Sequence, residues 1–316
     1  METTFSFNRI LCPVDFSEGS NRALQHAVAL AAVGHGSVTV LHVTPLFPAT
    51  TPEIPYWPLP TLVETEDSHE VAAALKGLVE EFKGLDADIQ IRTAVGLPEV
   101  EAVKAALTLR ADLLVLGTRG ASGLGRFLLG SLTEKLLREH PCPVLAVNPR
   151  LPEGSPRVPF QRVLCPIDLL EGSAETLRYA SALARAGHGT LTVLHAVDIS
   201  SERLGVDVSP IPEYSVYRLE DARARLDRVV CDTLPGASVN EIVVAGTAHQ
   251  AIVRLSEDFD VVVVGAHGPR PLHDIFLGST AAHVVRAAAC PVLALPGGLE
   301  ARAAARTRDI ESALAS

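Results

Sequence analysis

The chain has 316 residues, of which 47% are hydrophobic and 20% charged, a globular balance that excludes collagen-like, disordered and coiled-coil classes. At about 100–200 residues per domain, the length points to two domains. A formal net charge of −10 argues against non-specific nucleic-acid binding, which needs a basic face, and leaves room for a small local phosphate site.

Taken in order, RILCPV from Arg9 reads as a buried strand. Ser17 to Val33 follows at helical spacing (Ala23, Leu24, Ala27, Val28, Ala31), with Ser17 as N-cap. SVTVLHV is a strand, and a loop with six prolines between Pro45 and Pro60 comes next. The pattern continues with a helix near Ser68–Phe82, a strand Asp88–Val95, a helix Pro98–Leu109 and a buried strand Asp112–Gly117. A long glycine loop, a helix Ser131–Glu139 and a strand Pro143–Asn148 complete the series.

The series then recurs from Arg162 to Leu295. RILCPVDFSEGS at Arg9–Ser20 and RVLCPIDLLEGS at Arg162–Ser173 share eight of twelve residues. GHG recurs at Gly34–Gly36 and Gly187–Gly189, and CPVLA at Cys142–Ala146 and Cys290–Ala294. Copies this long are duplicated domains rather than solenoid repeats. The predicted divisions are domains at 1–148 and 161–296, a linker at 149–160 with four prolines, and a tail at 297–316. Alternating strands and helices predict an α/β class: two tandem doubly wound domains, each a parallel sheet with helices on both faces.

The chemical signal is the glycine loop. Gly117 and Gly120 precede Gly130-Ser131, and Gly265 and Gly268 precede Gly278-Ser279, with nine residues between the second glycine and the third in each copy. Each loop leaves the carboxyl end of a buried strand and enters a helix, where open α/β sheets bind ligands. Glycines admit a close phosphate, and the helix start offers unpaired N–H groups and a positive dipole end. Ser131 and Thr133 add hydroxyl donors. No Lys precedes Ser131 or Ser279, so this is not a Walker A loop, and the first strand is not followed by G-x-G-x-x-G. A tight connection without ligand remains the alternative. Asp15 and Asp168 end the first strand of each copy. They either accept hydrogen bonds from an adenine amine or ribose hydroxyls, or serve the start of the next helix.

PVDFSEGS followed by GTRGASGLGRFLLGSLTEKLLREHPCPVLAV resembles the universal stress protein family, and the likeness covers the whole of each copy. The resemblance implies five-stranded sheets in order 3-2-1-4-5 and pairing of the last strands between domains. It also implies ATP as ligand, with Mg2+ as a candidate companion. Carried over, the first site comprises Pro13, Val14, Asp15, Val43, Gly117, Arg119, Gly120, Gly130, Ser131, Leu132 and Thr133. The second comprises Ile167, Asp168, Ala196, Gly265, His267, Gly268, Gly278, Ser279 and Thr280. The copies differ: Leu170 replaces Ser17, Ala281 replaces Thr133, and the second loop carries Pro269, Pro271 and Asp274. The first site is therefore expected to bind ATP more tightly.

Cys12, Cys142, Cys165 and Cys290 lack C-x2-C spacing and read as small core residues, and no metal site is expected. His35, His42, His188 and His195 read as structural; His267, His273 and His283 gather about the second loop and could meet phosphate or respond to pH. No G-x-S-x-G or H-E-x-x-H occurs, and no catalytic residue is assigned. The tail could line Leu299, Ala303, Ile310 and Leu314 along one helical face, either solvated or against a second chain.

The opening METTFSFNRILCPVDF has no basic stretch before a long apolar one, and no apolar run approaches the ~20 residues of a membrane span. Five cysteines do not make a disulfide scaffold, and a cytoplasmic setting is expected, with no membrane or nucleic-acid partner. The leading reading is an ATP-binding stress-response module whose partners include ATP, a protein still to be identified and a possible second copy. A nucleotide-free interaction module and a weak ATPase or autophosphorylating protein are the alternatives.

Overall fold

The computed structural model describes residues 7–45, 66–118, 129–139, 142–149, 156–170, 172–198, 212–265 and 278–298. The first half runs β1 (Arg9–Pro13), α1 (Glu18–Gly34), β2 (Ser37–Pro45), α2 (Glu66–Glu80), β3 (Asp88–Gly96), α3 (Pro98–Thr108), β4 (Leu113–Gly117), α4 (Ser131–Glu139) and β5 (Val144–Val147). The second runs β6 (Arg162–Pro166), α5 (Ser173–Ala186), β7 (Thr190–Val197), α6 (Pro212–Thr233), β8 (Asn240–Ala245), α7 (Ala248–Leu255), β9 (Val261–Gly265), α8 (Ser279–Ala287) and β10 (Val292–Leu295). The C-terminal tail beyond Gly298 and the centre of each glycine loop lie outside the described residues.

All ten strands join one sheet in the order β3-β2-β1-β4-β5-β10-β9-β6-β7-β8. Each half thus has the order 3-2-1-4-5, with parallel neighbours throughout. The halves meet where β5 and β10 pair antiparallel, Leu145 opposite Leu293. This is the edge pairing that the family resemblance implied. Asn148 reinforces the seam, its side-chain amide donating to the Arg286 carbonyl at 3.2 Å.

Strand residues alternate between two cores. Ile10, Cys12 and Val14 pack with Leu24 and Val28 of α1 and Leu75 of α2, and on the same face Val163 and Cys165 meet Leu177 of α5 and Leu226 of α6. Leu11 and Leu164 point the other way, toward Ala102 of α3, Leu136 of α4, Ile252 of α7 and Val284 of α8. Helices therefore cover both faces, which explains why β4 and β9 are almost uninterrupted apolar runs.

The repeated GHG turn has a steric cause. His35 and His188 are left-handed, with φ of 50° and 51°. A Cβ on Gly36 would lie 2.4 Å from the Phe7 carbonyl oxygen, and one on Gly189 2.1 Å from that of Gln161. The chain passes too close to the start of β1 or β6 there for any side chain. Carboxylates lock the same end of the sheet: Asp112 accepts from the N–H groups of Asn8 and Arg9, and Asp260 from those of Gln161 and Arg162.

Candidate functional site at the carboxyl end of the sheet

β1 leaves the sheet at Pro13. Val14 is buried; its N–H donates to the Leu41 carbonyl at 2.8 Å, and its own carbonyl accepts from His42 Nδ1 at 2.9 Å. That bond requires the proton on Nδ1 and makes His42 the structural histidine that the sequence implied. Phe16 then turns through φ 61° and its ring sits 4.9 Å from that of His42. Exposed Asp15 accepts, through Oδ1, the Ser17 N–H at 3.1 Å and the Ser17 hydroxyl at 2.5 Å. Ser17 Oγ accepts from the Ser20 N–H at 3.2 Å and so caps α1. Of the two roles open to Asp15, the helix-start role is therefore filled.

β4 is β1's other neighbour, with Leu11 beside Leu114. Continuing that register sets Val14 level with Gly117. A Cβ on Gly117 would lie 2.5 Å from the Gly19 carbonyl carbon and 2.9 Å from the Ser20 nitrogen. Gly117 is thus glycine because the first turn of α1 rests on it, a packing reason that the loop motif alone does not reveal. The Gly130 N–H donates to the Thr118 carbonyl at 3.1 Å and draws together the ends of the intervening segment.

Thr133, expected to present a hydroxyl to a ligand, is buried at 3% exposure and donates that hydroxyl to the Gly117 carbonyl at 2.7 Å. Its hydrogen ties the first turn of α4 to β4. Leu132 packs its side chain against the core beneath α3 and α4. Among the described groups, the start of α4 presents backbone: N–H groups of a helix's first turn have no intrahelical acceptor, and the dipole there favours an anion.

The second half repeats part of this. The Ile167 N–H donates to the Leu194 carbonyl and its carbonyl accepts from His195 Nδ1, each at 2.9 Å. Leu169 turns through φ 61°. Asp168 Oδ1 accepts from the Leu170 N–H at 3.1 Å and the Ser173 hydroxyl at 2.9 Å. Without a serine at 170, α5 starts from left-handed Gly172 with no side-chain cap. A Cβ on Gly265 would meet a side-chain atom, Thr176 Oγ1 at 2.8 Å, rather than backbone. Ala281 is buried where Thr133 stands in the first half, and it has no hydroxyl to tie α8 to β9. Gly278 has open space about it, Ser279 is exposed and Thr280 half-buried.

Val43 and Ala196 sit two residues beyond Leu41 and Leu194, packed with the core under α3 and α7. Arg119, Gly120, His267, Gly268 and the Ser131 side chain lie outside the described residues. The described remainder thus gathers at one end of the sheet in each half. Two residues there were not assigned from the sequence: Ser20 and Ser173, signalled only as the last letter of the shared twelve-residue block. A depression of about 410 Å3, lined by Glu99, Val103, Lys104 and Lys135 among others, lies between α3 and α4 and not in this crevice. Cys12, Cys142, Cys165 and Cys290 are core residues, and burial pushes the Cys165 and Cys290 thiols up to about 12. Among the described residues, no helix is long and apolar enough to cross a membrane.

A ten-stranded sheet built from two like halves, each with a crevice beside its first and fourth strands, defines a tandem doubly wound α/β protein. The universal stress protein family model matches residues 6–148 and again 159–296, and the chain belongs to that family. It is 27% identical over 290 residues to universal stress protein Rv2005c of Mycobacterium tuberculosis, covering 90% of this chain and 95% of that one. It is 33% identical over 145 residues to universal stress protein MJ0531 of Methanocaldococcus jannaschii, covering 45% of this chain and 82% of that one. A universal stress protein from Archaeoglobus fulgidus superposes with a TM-score of 0.64 over 93% of this chain and 100% of its own, at 23% identity, a likeness of fold.

Proposed function

We propose that the protein is a nucleotide-binding stress-response module that takes ATP, with Mg2+ as companion, at the carboxyl end of each half-sheet, and that it acts by occupancy rather than by strong catalysis. The units assigned are residues 1–148 and 161–296, joined by 149–160, with 297–316 as a tail. The observation that carries the reading is the convergence of Asp15, the end of β4 and the start of α4 at the first half's switch point. In this reading the base and ribose lie toward Asp15 and the phosphates meet the α4 N–H groups and Gly130. Bound ATP would favour one loop arrangement over another and so select a protein partner, a shift limited by its differential affinity for the two.

The alternative of a nucleotide-free interaction module draws on one observation. Gly117 and Thr133 each have a packing role that needs no ligand. Isothermal titration of Mg-ATP into nucleotide-free protein separates the two. Binding in wild type, with one site lost in a folded Gly130→Val variant, supports the ATP reading and ranks the first half above the second. Absence of both heat and thermal shift in wild type selects the interaction module.

A further inference from the structure

Helices α7 and α8 lie side by side on one face of the second half. His249 is the second residue of α7 and His283 the fifth of α8. Their ring centroids are 4.4 Å apart and their planes inclined at 53°. Among the described residues neither imidazole has a hydrogen-bond or ion-pair partner. Desolvation, then the neighbouring His249 and Arg286, hold the His283 pKa below the ordinary imidazole value. At neutral pH that ring is uncharged, with a nitrogen lone pair available.

The first half fills the same two places differently. Glu99 is the second residue of α3 and Lys135 the fifth of α4, and both line the depression between those helices. An acid and a base there have become two imidazoles here. Core packing does not ask for that joint change, since His283 is exposed and His249 half-buried. Two imidazole nitrogen donors suit zinc, nickel or copper and suit magnesium poorly. With metal–nitrogen bonds of about 2.0–2.1 Å, two rings sharing one ion sit with centroids roughly 5 Å apart. The observed centroid separation is 4.4 Å.

We propose that His249 and His283 form a two-imidazole chelate for a divalent transition-metal ion, completed by water. The test is calorimetric titration of Zn2+ alone into tag-free full-length protein at about pH 7.5. His249→Ala and His283→Ala should each weaken the Zn2+ site about 10- to 100-fold, at least what loss of a supporting partner costs. Zn2+ affinity and stoichiometry unchanged in both folded variants would overturn the proposal. Should the alanine variants fail to fold, the double variant E99H/K135H decides in a wild-type second half. It should add one equivalent of Zn2+, and no added equivalent overturns the chelate.

Discussion

Gly117→Ala and Gly265→Ala insert the same methyl at equivalent positions, yet they should differ. At Gly117 the new Cβ meets Gly19 carbonyl carbon and oxygen at 2.5 and 2.6 Å and the Ser20 nitrogen at 2.9 Å. These are backbone atoms of the capped first turn of α1, held by Ser17, and they move only if the helix moves. Gly117 is not left-handed, so the penalty is steric. Overpacking costs about 1–3 kcal/mol, and backbone obstruction places this case in the upper part, about 2–3 kcal/mol. At Gly265 the obstacle is Thr176 Oγ1, which a rotamer change removes at about 0.5–1.5 kcal/mol. With each kcal/mol shifting Tm by about 2–4 °C in domains of this size, Gly117→Ala should melt about 4–12 °C below wild type. Gly265→Ala should fall by about 1–6 °C on the same scale. Calorimetric melting of nucleotide-free protein reads both. A Gly265→Ala loss equal to that of Gly117→Ala, or an unshifted Gly117→Ala, would refute the packing argument.

Two further outcomes follow from buried polar contacts. Thr133→Val keeps the shape but leaves the Gly117 carbonyl without its donor, at about 1–3 kcal/mol, read as a lower melting temperature in the absence of ligand. Unchanged melting together with weaker ATP binding would instead place that hydroxyl on the ligand. Asp260 is 6% exposed; burial alone would raise its pKa, but the bonds from the Arg162 side chain and from the Arg162 and Gln161 N–H groups outweigh it and lower the pKa. A carboxyl more acidic folded than unfolded stabilises the fold fully above its unfolded pKa of about 3.9 and loses that effect as pH falls through the folded value. Asp260→Asn should therefore lower stability at neutral pH and flatten its dependence below about pH 4, as followed by urea melts across that range.

The repeat made most of the fold readable. A duplicated strand-helix alternation fixes a parallel sheet in each half, and matching apolar last strands, Val144–Val147 and Val292–Leu295, leave two edges that satisfy each other. The site was readable as a place but not as a set of roles. Gly117 looks like a phosphate glycine because the residue that forbids its side chain, Gly19, is nearly a hundred positions away. Thr133 looks like a ligand donor because nothing local shows that the Gly117 carbonyl lies within 2.7 Å. Glycine and hydroxyl residues at a sheet's end serve packing and ligands by the same chemistry, and only distances separate the two. The His249–His283 contact was hidden likewise, since α7 and α8 meet only in the fold. Its trace in the sequence is that Glu99 and Lys135 both become histidine in the second copy.

The expectation that the first half binds more tightly has a physical basis that can be reversed. In the first half the Thr133 hydroxyl anchors the start of α4 to β4, so the backbone groups that would meet a phosphate are held before any ligand arrives. Such pre-organisation reduces the ordering cost of binding. In the second half Ala281 fills the same buried position without a hydroxyl, and the start of α8 lacks that anchor. Ala281→Thr should supply it, with Gly265 as acceptor. If ATP is the ligand, the second site should tighten, and the net worth of one hydrogen bond, about 0.5–1.5 kcal/mol, caps the gain at roughly tenfold. Titration of Mg-ATP into the Ala281→Thr chain carrying Gly130→Val isolates that site. A higher melting temperature with unchanged ATP affinity would show that the anchor only stabilises the fold and does not set the affinity of the second half.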